Sequence, residues 1–305
     1  PDRNLWTVVA ALVVLGWPQL TRIMRGAVIS VRDADFVTGG QVLFEGTDLL
    51  QLSSRQMQRF RGERIAMVFQ DALSALNPVY SVGFQIAEMF RVHLGTSRRE
   101  GMAKALELME RVRIPAAKER LKNYPHQFSG GMRQRIMIAI ALALDPQVLI
   151  ADEPTTALDV TVQAQIMALL ADLQRESGMG LILITHDLGV VADVADDIVV
   201  MYAGKVVERA PVHDIYADPA HPYTEGLLAS IPRVDRKGQD LAAIKGLPPN
   251  LTRLPSGCPF HPRCPYRRDD PCTTEEPPLY EVSSERGSAC HFWDEVVGGD
   301  HRAKW

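Results

Sequence analysis

The run Val148-Leu149-Ile150-Ala151, followed at once by Asp152-Glu153-Pro154, narrows most sharply what this 305-residue chain can fold into. Four apolar residues with no polar alternation read as a strand covered on both faces, as in the interior of a parallel sheet. Two adjacent carboxylates at its end then fall at the carboxyl edge of the sheet, where open α/β folds bind ligands. One carboxylate can hold Mg²⁺, directly or through water, and the next can orient an attacking water. The plainer reading of the same residues is a solvated Asp-Glu pair closing a core strand.

The flanking pattern supports an α/β fold. Short apolar runs at Gln41–Phe44, Ile65–Phe69, Leu181–Thr185 and Ile198–Tyr202 are expected to be strands, the last two buried on both faces like Val148–Ala151. Between them, Ser53–Phe60 reads as a helix capped by Ser53 or Ser54. The stretch from about 84 to 144 is mostly helical, with a loop at Asn123–Phe128. Val160–Arg175 puts Ile166, Leu169, Leu170 and Leu173 on one face. Alternating strands and helices predict a parallel sheet. Val206–Glu208, after Gly204, reads as a hairpin return. Beyond about Pro232, repeated prolines leave little room for regular structure.

Further residues fit a phosphate-handling site. Phe128-Ser129-Gly130-Gly131-Met132 stands directly before the apolar helix Ile136–Leu144. A serine cap and two glycines leave backbone N–H groups free at a positive helix end, which makes an anion seat. Gln70 ends the strand Ile65–Phe69, so its amide is placed to reach a metal or a water. His186 follows Leu181–Thr185 and is placed to bond a phosphate. Asp159 closes the turn after the carboxylates.

In this order and spacing, residues 38 to 305 resemble the ATP-binding subunit of an ABC transporter of the dipeptide/oligopeptide importer group. The resemblance implies an ABC-type ATPase core of α/β class, a helical signature subdomain at about 84–144 and an irregular, cysteine-bearing C-terminal extension at 233–305. It makes Gln70 the Q-loop glutamine and places Ser129, Gly130 and Gly131 in the signature motif. Asp152 becomes the Walker B aspartate, Glu153 the catalytic glutamate, Asp159 a D-loop residue and His186 the switch histidine. The signature departs from Leu-Ser-Gly-Gly-Gln at Phe128 and Met132. The implied ligands are ATP and Mg²⁺. The implied partners are permease subunits, a second ATPase subunit closing head-to-tail and, indirectly, a peptide-binding protein. The implied place is the cytoplasmic face of the inner membrane, held peripherally.

The tail sharpens the subgroup. His221-Pro222-Tyr223-Thr224 and the later Cys258-Pro-Phe-His-Pro-Arg-Cys264-Pro are similar to the extension of peptide-importer ATPases. All four cysteines, Cys258, Cys264, Cys272 and Cys290, crowd into the final sixth of the chain. Four thiolates on a proline-rich, core-poor segment suggest a metal staple, either Zn²⁺ or an iron–sulfur cluster. Close Cys-x-x-Cys pairs are missing, and the family resemblance implies a [4Fe–4S] cluster here; paired or free thiols are the remaining possibility.

One part of the family pattern is missing. The phosphate-cradling loop Gly-x₄-Gly-Lys-Ser/Thr should precede the Q-loop strand. The sequence has one Gly-Lys pair, Gly204-Lys205; it is followed by Val206, and Val199 stands where the first glycine belongs. No clear counterpart of the adenine-stacking aromatic is found either. Residues 1–37 instead resemble the cytoplasmic coupling loop of the transporter's permease subunit, from Trp17-Pro18 through Arg25-Gly26 to Asp35-Phe36-Val37. A junction between permease-like and ATPase-like sequence is therefore expected at Val37/Thr38, with the chain's own nucleotide site defective. The apolar run Val8–Trp17 is ten residues long, about half of a bilayer span, so no complete transmembrane helix is expected.

A non-catalytic pseudo-ATPase partner is the nearest rival reading, and an ABC-type DNA-repair ATPase a more distant one. With 33 Lys and Arg against 37 Asp and Glu, the net charge of −4 argues against nucleic-acid binding. The low cysteine count fits a reducing compartment.

Overall fold

The structure is a computed structural model that describes residues 43–231, 243–251 and 253–299. The permease-like segment 1–37 and the expected strand residues 41 and 42 lie outside the described residues. The chain divides into two compact units, one spanning Leu52–His186, the other Asp187–Trp305 together with the residues up to Gln51. In the latter unit the described chain opens on a small antiparallel hairpin, β1 (Leu43–Phe44) and β2 (Thr47–Asp48).

The Leu52–His186 unit carries the parallel sheet. Its first helix, α1 (Ser54–Phe60), starts at Ser53 in a reciprocal cap: the Gln56 N–H donates to the serine hydroxyl, and the Gln56 side chain accepts from the Ser53 N–H. β3 (Ile65–Val68) and the short α2 (Ala72–Ala75) follow. Ser81 caps α3 (Val82–Leu94) and Ser97 caps α4 (Arg98–Arg111). After α5 (Ala117–Arg120), the loop at 121–123 is tied back to α3, where the Val82 and Gly83 N–H groups donate to the Asn123 and Leu121 carbonyls. A Cβ at Gly83 would lie 2.6 Å from the Leu121 oxygen, so only glycine permits this approach.

The apolar helix α6 (Gly130–Ala141) is the hub of the unit, with Ile136, Ile138 and Ala139 fully buried. It leads to β4 (Val148–Asp152), then α7 (Val160–Ser177) and β5 (Gly180–Ile184). The face of α7 carrying Ile166, Leu169, Leu170 and Leu173 is buried, as its 3.6-residue period requires. Arg113, just beyond α4, bonds Asp172 of α7 at 2.6 Å, and this bond is the main cause holding the Asp172 carboxyl below its ordinary range.

The three strands are parallel in the order β3-β4-β5, with Val68 opposite Ala151 and Asp152 opposite Ile184. Central β4 is fully buried on the face of Leu149 and Ala151 and partly buried on the face of Val148 and Ile150, less covered than its unbroken apolar run predicts. β5 is covered less still. It is an edge strand; among the described residues nothing pairs with its other side, and Ile182 is 39% exposed. An apolar sequence suited to a sheet interior sits here at a sheet margin.

The unit from Asp187 onward is antiparallel. Asp187 caps α8 (Leu188–Val194), and β6 (Asp197–Tyr202) returns as β7 (Lys205–Pro211) through Ala203-Gly204, both left-handed, which is the two-residue turn that matches strand twist. β6 alternates exposed and buried residues instead of being covered on both faces, because it belongs to this second sheet. α9 (Val212–Ala217) and α10 (Pro222–Ala229) follow. Among the described residues, the proline-rich tail is irregular from 243 to 279 apart from one 3₁₀ turn at His261–Arg263. It then forms β8 (Tyr280–Ser283), β9 (Arg286–Ser288) and α11 (Trp293–Val296), which the sequence reading missed. β9 pairs with β7, giving the order β6-β7-β9-β8. Phe260 of the tail is buried against Ile198, Val200 and Tyr202, edge-on to the Tyr202 ring. No helix among the described residues is long and apolar enough to cross a membrane.

Candidate active site and cysteine pocket

At the carboxyl edge of β4, Glu153 leaves the strand with φ +43° while its N–H donates to the Ile184 carbonyl of β5 at 2.8 Å. A non-glycine residue in this region is strained, and the strain aims the Glu153 carboxylate off the sheet edge. Three side chains meet it. The Gln70 amide donates to Oε2 at 2.6 Å, the Thr156 hydroxyl donates to the same oxygen at 2.9 Å, and His186 Nδ1 lies 3.3 Å from Oε1. Gln70, Glu153 and His186, separated by 83 and 33 residues in sequence, are thus brought together. Gln70 faces the carboxylate itself. Thr156 went unnoticed in the sequence, although a hydroxyl three residues after a carboxylate in a tight turn was the available signal. Asp152 ends β4 beside this group, partly buried.

The signature residues sit at the start of α6. Ser129 is its N-cap and accepts from the Met132 N–H. A Cβ at Gly131 would come within 2.5 Å of the Val162 side chain, and one at Gly130 within 3.4 Å of Leu158. The glycines therefore let α6 begin close against the turn that opens α7. Asp159 caps α7, its Oδ1 accepting from the Val162 N–H. Ser129 is exposed, and among the described residues its side chain makes no bond to the Glu153 group.

The four cysteines are drawn together in the other unit. Cys258, Cys264, Cys272 and Cys290 all line one small pocket, with His221, Phe260, Tyr266 and His291. All four are free thiols, and Cys272 and Cys290 are buried. Burial, then the neighbouring thiols, push Cys264 and Cys258 up and Cys290 up to about 12. Among the described residues, no three Cys, His, Asp or Glu side chains gather closely enough to hold a single metal ion. The expected four-thiolate set therefore shares a cavity without converging on one point.

Behind this cavity lies a buried polar group invisible in the sequence. Glu208 on β7 is 1% exposed and its carboxylate accepts the Ala220 and His221 N–H groups at 2.6 and 3.0 Å. Burial nevertheless outweighs these bonds and pushes it up to about 7. His221, also 1% exposed, is held down to about 3 by burial.

The two oppose each other in pH. Glu208, from an ordinary 4.5, contributes stability that is full below pH 4.5 and lost as pH rises to about 7. His221, from an ordinary 6.5, contributes stability that is full above pH 6.5 and lost as pH falls toward 3. Between these two ordinary values native and unfolded states bind equal numbers of protons through this pair, so its effects cancel. Relative to the parent chain, metal-free Glu208→Gln should gain roughly 3 kcal/mol between pH 4.5 and 6.5, and His221→Asn should lose as much. Urea unfolding at the two pH values checks this. Profiles parallel to the parent's in both variants would refute it.

Comparison with known proteins accords with this geometry. Residues 24–156 match the family described as ABC transporter, and residues 207–272 match the oligopeptide/dipeptide transporter C-terminal region. A Brucella melitensis protein, named among peptide import ATP-binding proteins, is 50% identical over 286 residues, covering 90% of this chain and 83% of the relative. The oligopeptide transport ATP-binding protein OppD of Salmonella typhimurium is 49% identical over 252 residues, covering 83% and 75%. The dipeptide transport ATP-binding protein DppD of Bacillus subtilis is 54% identical over 231 residues, covering 76% and 69%. Among solved structures, a dimeric ATP-binding cassette in a post-hydrolysis state with ADP and phosphate superposes with TM-score 0.52 at 27% identity, covering 62% of this chain and 81% of the other. Family matches and relatives agree: the chain belongs to the ABC transporter family, beside the ATP-binding proteins of its oligopeptide and dipeptide members.

Proposed function

We propose that this chain is the ATP-binding subunit of a peptide importer, docked on permease subunits at the cytoplasmic face of the inner membrane, with a defective nucleotide site of its own. The observation that carries the catalytic part is the Gln70–Glu153–His186 group at the carboxyl edge of the parallel sheet. With a phosphate loop to bring ATP to this edge, Glu153 would polarise the attacking water and His186 would contact the γ-phosphate, while Asp152 and Gln70 would hold Mg²⁺. Thr156 holds the Glu153 carboxylate in place. Ser129, Gly130 and Gly131 serve the nucleotide of a second cassette, and Asp159 lies in the turn facing it. Because the phosphate-cradling loop is missing from the sequence, the chain acts on its partner's ATP through the α6 N-terminus rather than on its own.

The test pairs this chain with an intact cassette that has its own phosphate loop. Ser129→Arg in this chain should lower ATP turnover of the pair at least tenfold, and the chain alone should show no turnover. Turnover by the chain alone that disappears on Glu153→Gln would overturn the defective-site reading. A pair indifferent to Ser129→Arg would leave the non-catalytic partner reading instead.

We also read residues 1–37 as permease-derived, 38–232 as the ATPase domain and 233–305 as the extension. The four cysteines are read as ligands of a [4Fe–4S] cluster, with Zn²⁺ the alternative. What supports the reading is the donor set, four soft thiols lining one pocket. Bound there, the cluster would supply a cross-link for a segment with a small core.

A further inference from the structure

We propose that His291 is a positioning residue of the thiol pocket: it ties the turn carrying Cys272 to the segment carrying Cys290, and is not itself a metal ligand. The proposal rests on the reading of that pocket as a thiolate site, and names what joins its two buried cysteines.

Both ring nitrogens of His291 are engaged. Nε2 lies 3.1 Å from the Glu275 carbonyl oxygen, and Nδ1 lies 3.1 Å from the Tyr280 hydroxyl. A carbonyl can only accept, so the ring proton sits on Nε2, and Nδ1 accepts from the Tyr280 O–H. A histidine that binds a metal presents its unprotonated nitrogen to the ion. Here that nitrogen is taken by a phenol. His291 therefore lines the pocket as a brace between two segments.

The brace ends on fixed points. The Thr274 and Glu275 N–H groups both donate to the Pro271 carbonyl, at 3.1 and 2.9 Å, which closes a single turn around Cys272. Holding the Glu275 carbonyl holds that turn. On the other side, Tyr280 opens β8 opposite Ser288 of β9. Ala289 follows, and its N–H donates to the Val207 carbonyl of β7 at 2.8 Å. Cys290 thus stands between a residue anchored to the sheet and a residue anchored to the Cys272 turn. Cys258 and Cys264 are organised by a turn of their own, in which the His261 N–H donates to the Cys258 carbonyl and the His261 carbonyl accepts from the Cys264 N–H.

The experiment alkylates the reduced full chain, stripped of metal by a chelator, with iodoacetamide under native conditions and follows each cysteine by peptide mass spectrometry. His291→Phe keeps a flat ring and removes both bonds. It should raise the Cys272 and Cys290 rates together about tenfold, while Cys258 and Cys264 stay within about twofold. Tyr280→Phe, which removes one hydroxyl, should raise the same two rates about threefold. In the double variant Tyr280→Phe should add nothing to His291→Phe, because both act through one link. Ile215→Ala, a buried truncation elsewhere in the same unit, should raise all four rates together. A histidine that served only as a ligand would have nothing to hold in the stripped chain, so unchanged Cys272 and Cys290 rates in both variants overturn the proposal. A uniform rise like that of Ile215→Ala overturns it too, as do additive effects in the double variant. Iron and zinc analysis of the parent chain is scored separately: a metal-free parent removes the thiolate-site reading, and the labelling pattern still decides the brace.

Discussion

Titrated with ATP–Mg, the purified chain should show no binding tighter than millimolar. In a complete cassette, backbone amides and a lysine of the glycine-rich loop bond the β- and γ-phosphates. Charge-assisted bonds of this kind contribute about 1.5–3 kcal/mol each, so losing three removes roughly 5–9 kcal/mol. That is enough to carry a micromolar site beyond millimolar, since each 1.4 kcal/mol is about tenfold. What remains at the sheet edge makes matters worse. Asp152 and Glu153 are acceptors that repel phosphate without a bridging cation, and Gln70 and Thr156 already spend their donors on Glu153. Calorimetry decides it: micromolar affinity would mean that the triphosphate finds a cradle elsewhere in the chain.

Gly257→Ala should unfold the cysteine pocket. Gly257 has φ +66°, and a Cβ there would lie 2.4 Å from the Cys272 carbonyl oxygen, 2.7 Å from the Thr273 carbonyl carbon and 2.9 Å from the Thr274 nitrogen. All three are backbone atoms, so no side chain can swing aside. The same Cys272 oxygen accepts the Cys258 N–H at 2.9 Å, a bond that ties two cysteine-bearing loops together. Alanine must break that link or strain it, at a cost of about 3 kcal/mol or more. For a domain of this size such a loss lowers the melting temperature by roughly 10 °C. Gly246→Ala is the control: its φ is +81°, but the nearest atom to an added Cβ is the flexible Arg263 Cγ at 3.6 Å, so backbone strain of about 1 kcal/mol is all it meets. Equal melting temperatures for the two variants would contradict the steric argument.

Much of the fold was readable locally. Ser53, Ser81, Ser97, Ser129 and Asp159 each cap the helix that follows, because a cap depends on residues at most three apart. β4 and the buried face of α7 followed from apolar spacing for the same reason. β5 was misjudged because Leu181–Ile184 is composed like an interior strand, and composition says nothing about whether a neighbour exists. The β8–β9 hairpin was overlooked because the surrounding prolines mask strand propensity, which here is set by pairing with β7.

Residue order and spacing alone pointed to the family, put two carboxylates at the end of β4, and showed the clustering of the thiols late in the chain and the lack of a Gly-x₄-Gly-Lys-Ser/Thr run, since these are properties of near neighbours or of the list of residues itself. Folding alone decided that Thr156 bonds Glu153 and that Glu208 and His221 are buried next to each other with opposed proton affinities. Those facts depend on groups 3 to 83 positions apart meeting at fixed angles out of water, and burial is a property of the assembled molecule.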